Sequence, residues 1–157
     1  MSDSRPQATG DEVRIRPATP DDLPRVRTQL QHAALPLDGL EEHFGAGFVV
    51  AVAGGELIGV AGVEVHGRHG LLRSVAVTAE RRGSGLGRRL VRDRIAWARG
   101  RGLTSLSLLT TTAAAWFDRL GFATTTRAAL PPALRASREF SEACPETAAA
   151  MTMQLER

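Results

Sequence analysis

The sequence predicts a single α/β (α+β) domain built on a mixed β-sheet with helices on its flanks. Three observations carry that expectation. Two apolar runs, 48–53 and 57–65, are joined by Gly54-Gly55, the composition of a tight antiparallel hairpin. The apolar run 71–77, rich in β-branched residues, passes through a glycine-rich turn into a segment where Leu90, Val91, Ile95 and Ala98 recur at helical spacing. Leu106 and Leu108 then alternate with Ser105 and Ser107 over 103–109, a further strand. At 157 residues the chain is sized for one compact domain with a substantial core.

In chain order, residues 1–11 are polar, contain Pro6 and Gly10, and read as a flexible tail before a single domain over 12–157. Val13 and Ile15 alternate with Arg14 and Arg16, as in a half-buried strand. Thr19-Pro20-Asp21-Asp22 is a helix start, with a capping residue, a first-turn proline and acids at the positive helix end. Leu23, Val26, Leu30 and Ala34 supply that helix's apolar face, and 37–44 predicts a short second helix after Pro36. Gly67-Arg68-His69-Gly70 turns the chain into the central strand, and Gly100 and Gly102 mark the end of the long helix. Pro131-Pro132 opens a short helical turn, and 148–155 is the last strand, with Met151 on its core side.

Composition narrows the function classes. The formal charge is only +3, with 20 arginines against 17 acids and neither lysine nor tyrosine, so a calculated isoelectric point near 10.7 reflects missing titrating groups. The charges alternate in sign instead of forming a basic block, and aromatic residues are few, which argues against nucleic acid as a partner. A lone cysteine, Cys144, excludes an intramolecular disulfide and suits a reducing compartment. No apolar run approaches membrane-spanning length, so the expectation is a soluble cytoplasmic protein without a membrane partner. His32, His43, His69 and His66 are scattered without zinc-ligand spacing, and no metal is expected.

The strand–turn–helix over 71–100 carries the chemistry. Such a turn presents unpaired backbone N–H groups to an anion, and its glycines let a phosphate approach. Gly83, Gly85 and Gly87 do not make a dinucleotide fingerprint, and a chain without lysine has no P-loop. Arg82-x-x-Gly85-x-Gly87, entered from Val75-Ala76-Val77, resembles instead the pyrophosphate loop of the GNAT family of N-acetyltransferases. A second landmark, Trp116-Phe117-Asp118-Arg119-Leu120-Gly121-Phe122, follows in the order and spacing of that family.

The resemblance implies a mixed, mostly antiparallel central sheet and acetyl-coenzyme A as cofactor. It implies contacts to that cofactor from Val75, Ala76, Val77, Arg82, Gly83, Ser84, Gly85, Leu86, Gly87, Arg88 and Phe117. The Val75 backbone N–H would polarise the thioester carbonyl. Many family members carry a tyrosine that protonates the departing thiolate at the position occupied here by Phe117, so that aid is missing; water or a serine would have to complete the transfer. Glu64 and His66, on one face of a strand beside the central one, are candidates for the base that takes the amine's proton.

The tail narrows the acceptor. Pro132, Ser137, Glu139, Phe140, Cys144, Pro145, Ala148 and Met151 match the pattern of acetyltransferases named for arsenic resistance, and a similar layout occurs in glutamate N-acetyltransferase domains. This resemblance implies a small amino-acid-like amine, such as arsinothricin or phosphinothricin, since arsenite and arsenate have no amine to acetylate. Arg73, Arg135 and Arg138 are candidates for gripping its anionic groups, with Ser74, Thr110, Thr111 and Thr112 as hydroxyl donors. Another small amine, a peptide N-terminus and a weakly active acyl-coenzyme A-binding regulatory module remain open as alternatives. A homodimer joined through the final strands is the family-level expectation.

Overall fold

The computed structural model describes residues 12–143 and 147–155, so the predicted tail 1–11, Cys144 and Pro145 lie outside the described residues. Seven strands form one mixed sheet: β1 (Arg14–Pro17), β2 (Phe48–Ala53), β3 (Glu56–His66), β4 (His69–Val77), β5 (Ser105–Thr110), β6 (Ala123–Thr125) and β7 (Ala149–Gln154). Their order across the sheet is β1-β2-β3-β4-β5-β7-β6, and only the β4–β5 pair is parallel. The helices are α1 (Leu23–His32), α2 (Leu40–His43), α3 (Leu86–Gly100) and α4 (Ala114–Arg119). Helix α3 is the crossover that a parallel pair requires.

The N-terminal helix start forms as its residues dictate. Asp22 Oδ2 accepts from the Thr19 backbone N–H at 2.7 Å, and Arg16 grips the same carboxylate at 2.8 and 2.9 Å. That arrangement, led by the Arg16 hydrogen bonds, holds the Asp22 carboxyl down at about 2 despite burial. Val26 and Leu30 of α1 and Leu40 of α2 pack with Phe48, Val50 and Val60 on one face of the sheet. On the other, Val91 and Ile95 of α3 meet Val63, Leu72, Leu106, Leu108, Phe117, Phe122 and Met151. Each such fully buried side chain contributes about 1.5–3 kcal/mol of transfer free energy.

Three elements differ from expectation. The predicted turn 67–70 shrinks to Gly67-Arg68, because Gly67 takes φ +67° and His69 already pairs with His66. The short helix predicted over 37–44 is limited to Leu40–His43, begun by Gly39 in the left-handed region. Ser105 and Ser107 are as buried as Leu106 and Leu108, since both faces of β5 are covered. Their hydroxyls are satisfied by His69 Nδ1 and Thr152 Oγ1, at 2.8 and 2.9 Å.

Gly62 of β3 is a packing requirement with no special backbone conformation: a Cβ there would fall 2.2 Å from the Phe48 ring. Gly62→Ala is therefore expected to lower unfolding free energy by about 1–3 kcal/mol, measured by urea denaturation, while Gly45→Ala, whose Cβ meets nothing within 4 Å, changes it little.

Candidate active site

Strands β4 and β5 pair only at His69↔Ser105, Gly70↔Leu106 and Leu71↔Ser107, then part. Beyond Leu71 the space between them is a cleft of 530 Å³ whose lining includes Arg73, Ser74, Val75, Thr110 and Phe117. The pairing of β3 with β4 slips between Val60 and Gly62, placing Ser74 and Val75 together opposite Ala61. This is a β-bulge on the central strand, and Ser74 sits at φ +60°, an uncommon conformation for a residue other than glycine. The bulge aims the Ser74–Val75 backbone at the place where the sheet opens.

A second hollow of 470 Å³ continues from the first through Val75, Ala76, Val77, Arg82, Ala113 and Phe117. Its far end is the turn before α3, with Arg81, Gly83, Gly85, Gly87 and Arg88. Gly85 caps α3 at φ +90°, so the first-turn N–H groups of a fifteen-residue helix face the hollow's end. Gly87 allows Trp116 to lie close, since a Cβ there would come within 3.2 Å of the indole. A channel with apolar walls thus runs from a cationic, N–H-rich mouth to a polar inner end.

The inner end is organised by Arg73, whose side chain is completely buried. Its Nη1 donates to Glu64 Oε2 at 2.7 Å and to the Asp38 carbonyl at 2.6 Å, and its Nη2 donates to the Pro36 carbonyl at 3.1 Å. Its Nε donates to Ser74 Oγ at 3.0 Å and lies 3.2 Å from Glu139 Oε1. One guanidinium therefore serves two buried carboxylates, and they respond oppositely. Burial pushes Glu64 up, but hydrogen bonds from His66, Arg73 and Ser137 and the charge of His43 outweigh it, leaving its carboxyl below the usual range. Burial dominates at Glu139, with the negative charges of Glu64 and Asp38 added and Arg73 only partly compensating, and its carboxyl is pushed up to about 7.

The expected cofactor-loop residues Val75, Ala76, Val77, Arg82, Gly83, Gly85, Gly87, Arg88 and Phe117 all line the channel. Leu86 and Ser84 do not line it. The Leu86 side chain is buried in the core against Leu90, and the exposed Ser84 hydroxyl donates to the Arg81 carbonyl. Thr110, Thr111 and Thr112 line the inner cleft with Ser74, although Thr110 Oγ1 is engaged by the Ala113 N–H at 3.0 Å.

Four charged or ionisable residues expected at the site do not line the cleft. Arg135 is exposed and Arg138 lies 3.7 Å from Glu42 on the surface, and neither lines the cleft, because the turn carrying them shows the cleft only Glu139. Glu64 and His66 do share a strand face, but they stand behind Arg73 and do not line the cleft either. Sequence reading passed over Glu139, Arg81, Ala113 and Trp116. For Glu139 the signal was its place in the tail pattern; no local spacing tied it to Arg73. His32 lines a separate hollow beside Pro24 and Gly55. The segment 33–38 supplies the outer wall of the inner cleft.

Comparison with known proteins accords with this geometry. Residues 13–122 match the model of the acetyltransferase (GNAT) family. No curated protein matches the sequence. Among solved structures, N-acetylglutamate synthase from Neisseria gonorrhoeae, in complex with coenzyme A and N-acetyl-glutamate, aligns over 93% of this chain with TM-score 0.79 and 26% identity. This chain spans only 36% of that synthase's length. Rv2747 from Mycobacterium tuberculosis, in complex with CoA and NLQ, aligns over 91% of this chain and 99% of its own at TM-score 0.77 and 23% identity. The ribosomal-protein-S18-alanine N-acetyltransferase from Escherichia coli aligns over 93% and 96% respectively, at TM-score 0.72 and 21% identity. Among the described residues, no helix is long and apolar enough to cross a membrane.

Because Arg73 ties the 36–38 wall to the sheet, its removal acts first on stability. Arg73→Met is expected to cost about 3–5 kcal/mol, since Glu64 is left buried without its partner. The double variant Arg73→Met/Glu64→Gln recovers most of that loss, read as a coupling energy from denaturant melts of the full cycle.

Proposed function

As the chain belongs to the acetyltransferase (GNAT) family, we propose that it transfers acetyl from acetyl-coenzyme A to the primary amine of a small, amino-acid-like acceptor, a glutamate analogue such as arsinothricin or phosphinothricin. The observation that carries this reading is the channel itself: a parted strand pair joining the N–H-rich start of α3 to a cleft that presents Arg73, Ser74, Thr110 and Glu139.

The residues fit acetyl-coenzyme A. Arg81, Arg82 and Arg88 surround the glycine turn and supply the positive charge a pyrophosphate requires, with first-turn N–H groups of α3 as donors. Bound there, acetyl-coenzyme A supplies an acetyl thioester. The bulged Val75 backbone N–H would polarise the thioester carbonyl, and Phe117 and Leu108, which line the cleft, would help to exclude water from it.

Glu139 is the base. It lines the inner cleft, is 3% exposed, and has a carboxyl raised to about 7, in the range where proton transfer from an amine is most effective near neutral pH. Glu64, itself hydrogen-bonded to His66, holds Arg73, and Arg73 in turn places Glu139. The division follows a general pattern in which two carboxylates with pKa values pushed apart take different tasks. With no tyrosine in the chain, the Ser74 hydroxyl of the bulge, whose oxygen accepts from Arg73, would offer a hydrogen bond to a thiolate there, and water would supply its proton.

The glutamate-like acceptor is supported by the tail pattern and by likeness to the acetyltransferase portion of N-acetylglutamate synthase. A cationic amine is the second reading: Asp38 and Glu139 line the cleft, whereas Arg135 and Arg138 stand outside it. The same proposal takes residues 12–157 as one working domain in the cytoplasm. It moves any homodimer contact to the β6 edge, because β7 is enclosed between β5 and β6.

Release of coenzyme A thiol, with mass analysis of products, is the direct test, using glutamate, phosphinothricin, arsinothricin, methionine sulfone, spermidine and an aminoglycoside. Turnover confined to the anionic amino acids supports the proposal; turnover confined to spermidine or the aminoglycoside replaces it with the cationic reading.

The base assignment has its own test. A base works ionised, so wild-type kcat/KM is expected to rise with pH through about 7 as Glu139 loses its proton. Glu139→Gln should lower kcat by about 10²–10⁴-fold and remove that limb, leaving only the rise that belongs to the amine. A variant that keeps both the limb and the rate excludes Glu139 as base.

A further inference from the structure

The four histidines look scattered along the sequence, but the fold brings two of them onto one carboxylate. His43 ends α2 and His66 ends β3, and their ring centroids are 5.2 Å apart. His66 Nε2 lies 2.8 Å and His43 Nε2 3.5 Å from the same oxygen, Glu64 Oε1. Among the described residues, this is the one set of three metal-ligating side chains whose ligand atoms all lie within 4.8 Å of one another.

We infer that His43, Glu64 and His66 form a binding site for a divalent transition metal, outside the acetyl-transfer channel. Three features support this. First, the spacing is close to that of ligands already arranged around a cation: tetrahedral zinc with bonds near 2.0–2.2 Å separates neighbouring ligand atoms by about 3.3–3.5 Å. The pair distances of 2.8 and 3.5 Å bracket that value, so a small outward shift of His66 admits the ion.

Second, the carboxylate is positioned from behind. Glu64 Oε2 is occupied by Arg73 Nη1 at 2.7 Å, which orients Oε1 toward the imidazoles, as the partners of metal ligands commonly do. Third, there is an entry path. Glu64 is fully buried and the His66 side chain is 9% exposed, but the His43 side chain is 23% exposed and opens the cluster to solvent, where water can complete the coordination.

Two imidazoles and one carboxylate select zinc, cobalt, nickel or copper over calcium or magnesium, whose sites are built from oxygen. The ion's place also suggests what it does. Glu64 joins the site to Arg73, and Arg73 joins it to Ser74 and Glu139 at the inner cleft, so occupancy bears on how firmly the acceptor end is held.

The experiment uses tag-free, chelator-treated full-length protein, titrated with cobalt(II) by visible absorption and with zinc(II) by calorimetry. Expected are saturation at one ion per chain, ligand-field bands of a low-coordinate site, and no thiolate charge-transfer band. His43→Ala and His66→Ala should each weaken binding by more than about 100-fold. His32→Ala, His69→Ala and Cys144→Ser should bind as the parent does. These readouts need no turnover, so the result stands whatever the acceptor proves to be. Failure to saturate at one ion, or binding undiminished in the His43→Ala/His66→Ala double variant with its circular dichroism unchanged, overturns the inference.

Discussion

The parting of β4 from β5 after three paired residues is the constraint on which the rest of this structure depends. A parallel pair continued to the strand ends would close the sheet and leave no channel. Two features keep it open. The bulge at Ser74 and Val75 swings the central strand away from its neighbour, and Thr110 ends β5 by receiving the Ala113 N–H at the start of α4. Backbone groups that a closed sheet would have paired are left facing a ligand-sized space, and α3 begins where that space reaches the surface.

Arg73 lies beside the bulge and converts an opening into a site. Desolvating a guanidinium is expensive, and here the cost is offset by five acceptors drawn from four parts of the chain: segment 36–38, β3, β4 and the turn at Glu139. That convergence holds the outer wall of the cleft against the sheet. It also sets two nearby buried carboxylates apart, because Glu64 takes the shorter ion pair together with hydrogen bonds from His66 and Ser137, while Glu139 receives only the longer ion pair. Arg73, read from sequence as a candidate substrate grip, lines the cleft and also donates four hydrogen bonds within the protein.

The elements with strong local signals were legible in the chain. Thr19 and Asp22 mark the first helix, Gly54-Gly55 the hairpin, and Gly83 and Gly85 the turn before α3, each through interactions spanning only a few residues. The outer end of the channel was readable for the same reason, since one continuous stretch, 75–88, supplies most of its lining. Leu86 takes part in that stretch through its backbone, since its side chain is buried in the core and its N–H belongs to the first turn of α3, while the exposed Ser84 hydroxyl donates to the Arg81 carbonyl.

The α/β class, six of the seven strands in chain order and the glycine turn before α3 were thus written in short-range periodicity and backbone preference, while the three-residue β6 was too short to leave such a signal. Only the tertiary structure decided which polar side chains share a space. Arg73 meets the carbonyls of Pro36 and Asp38, and Glu139 comes to it from 66 positions further along the chain. His43 and His66 reach Glu64 from α2 and β3 in the same way, while Arg135 and Arg138 face outward only a few residues from an inward Glu139. Spacing along a chain sets which face of one element a side chain occupies. Which faces then meet is set by the packing of separate elements around the core, and burial of the charges that meet there sets their protonation.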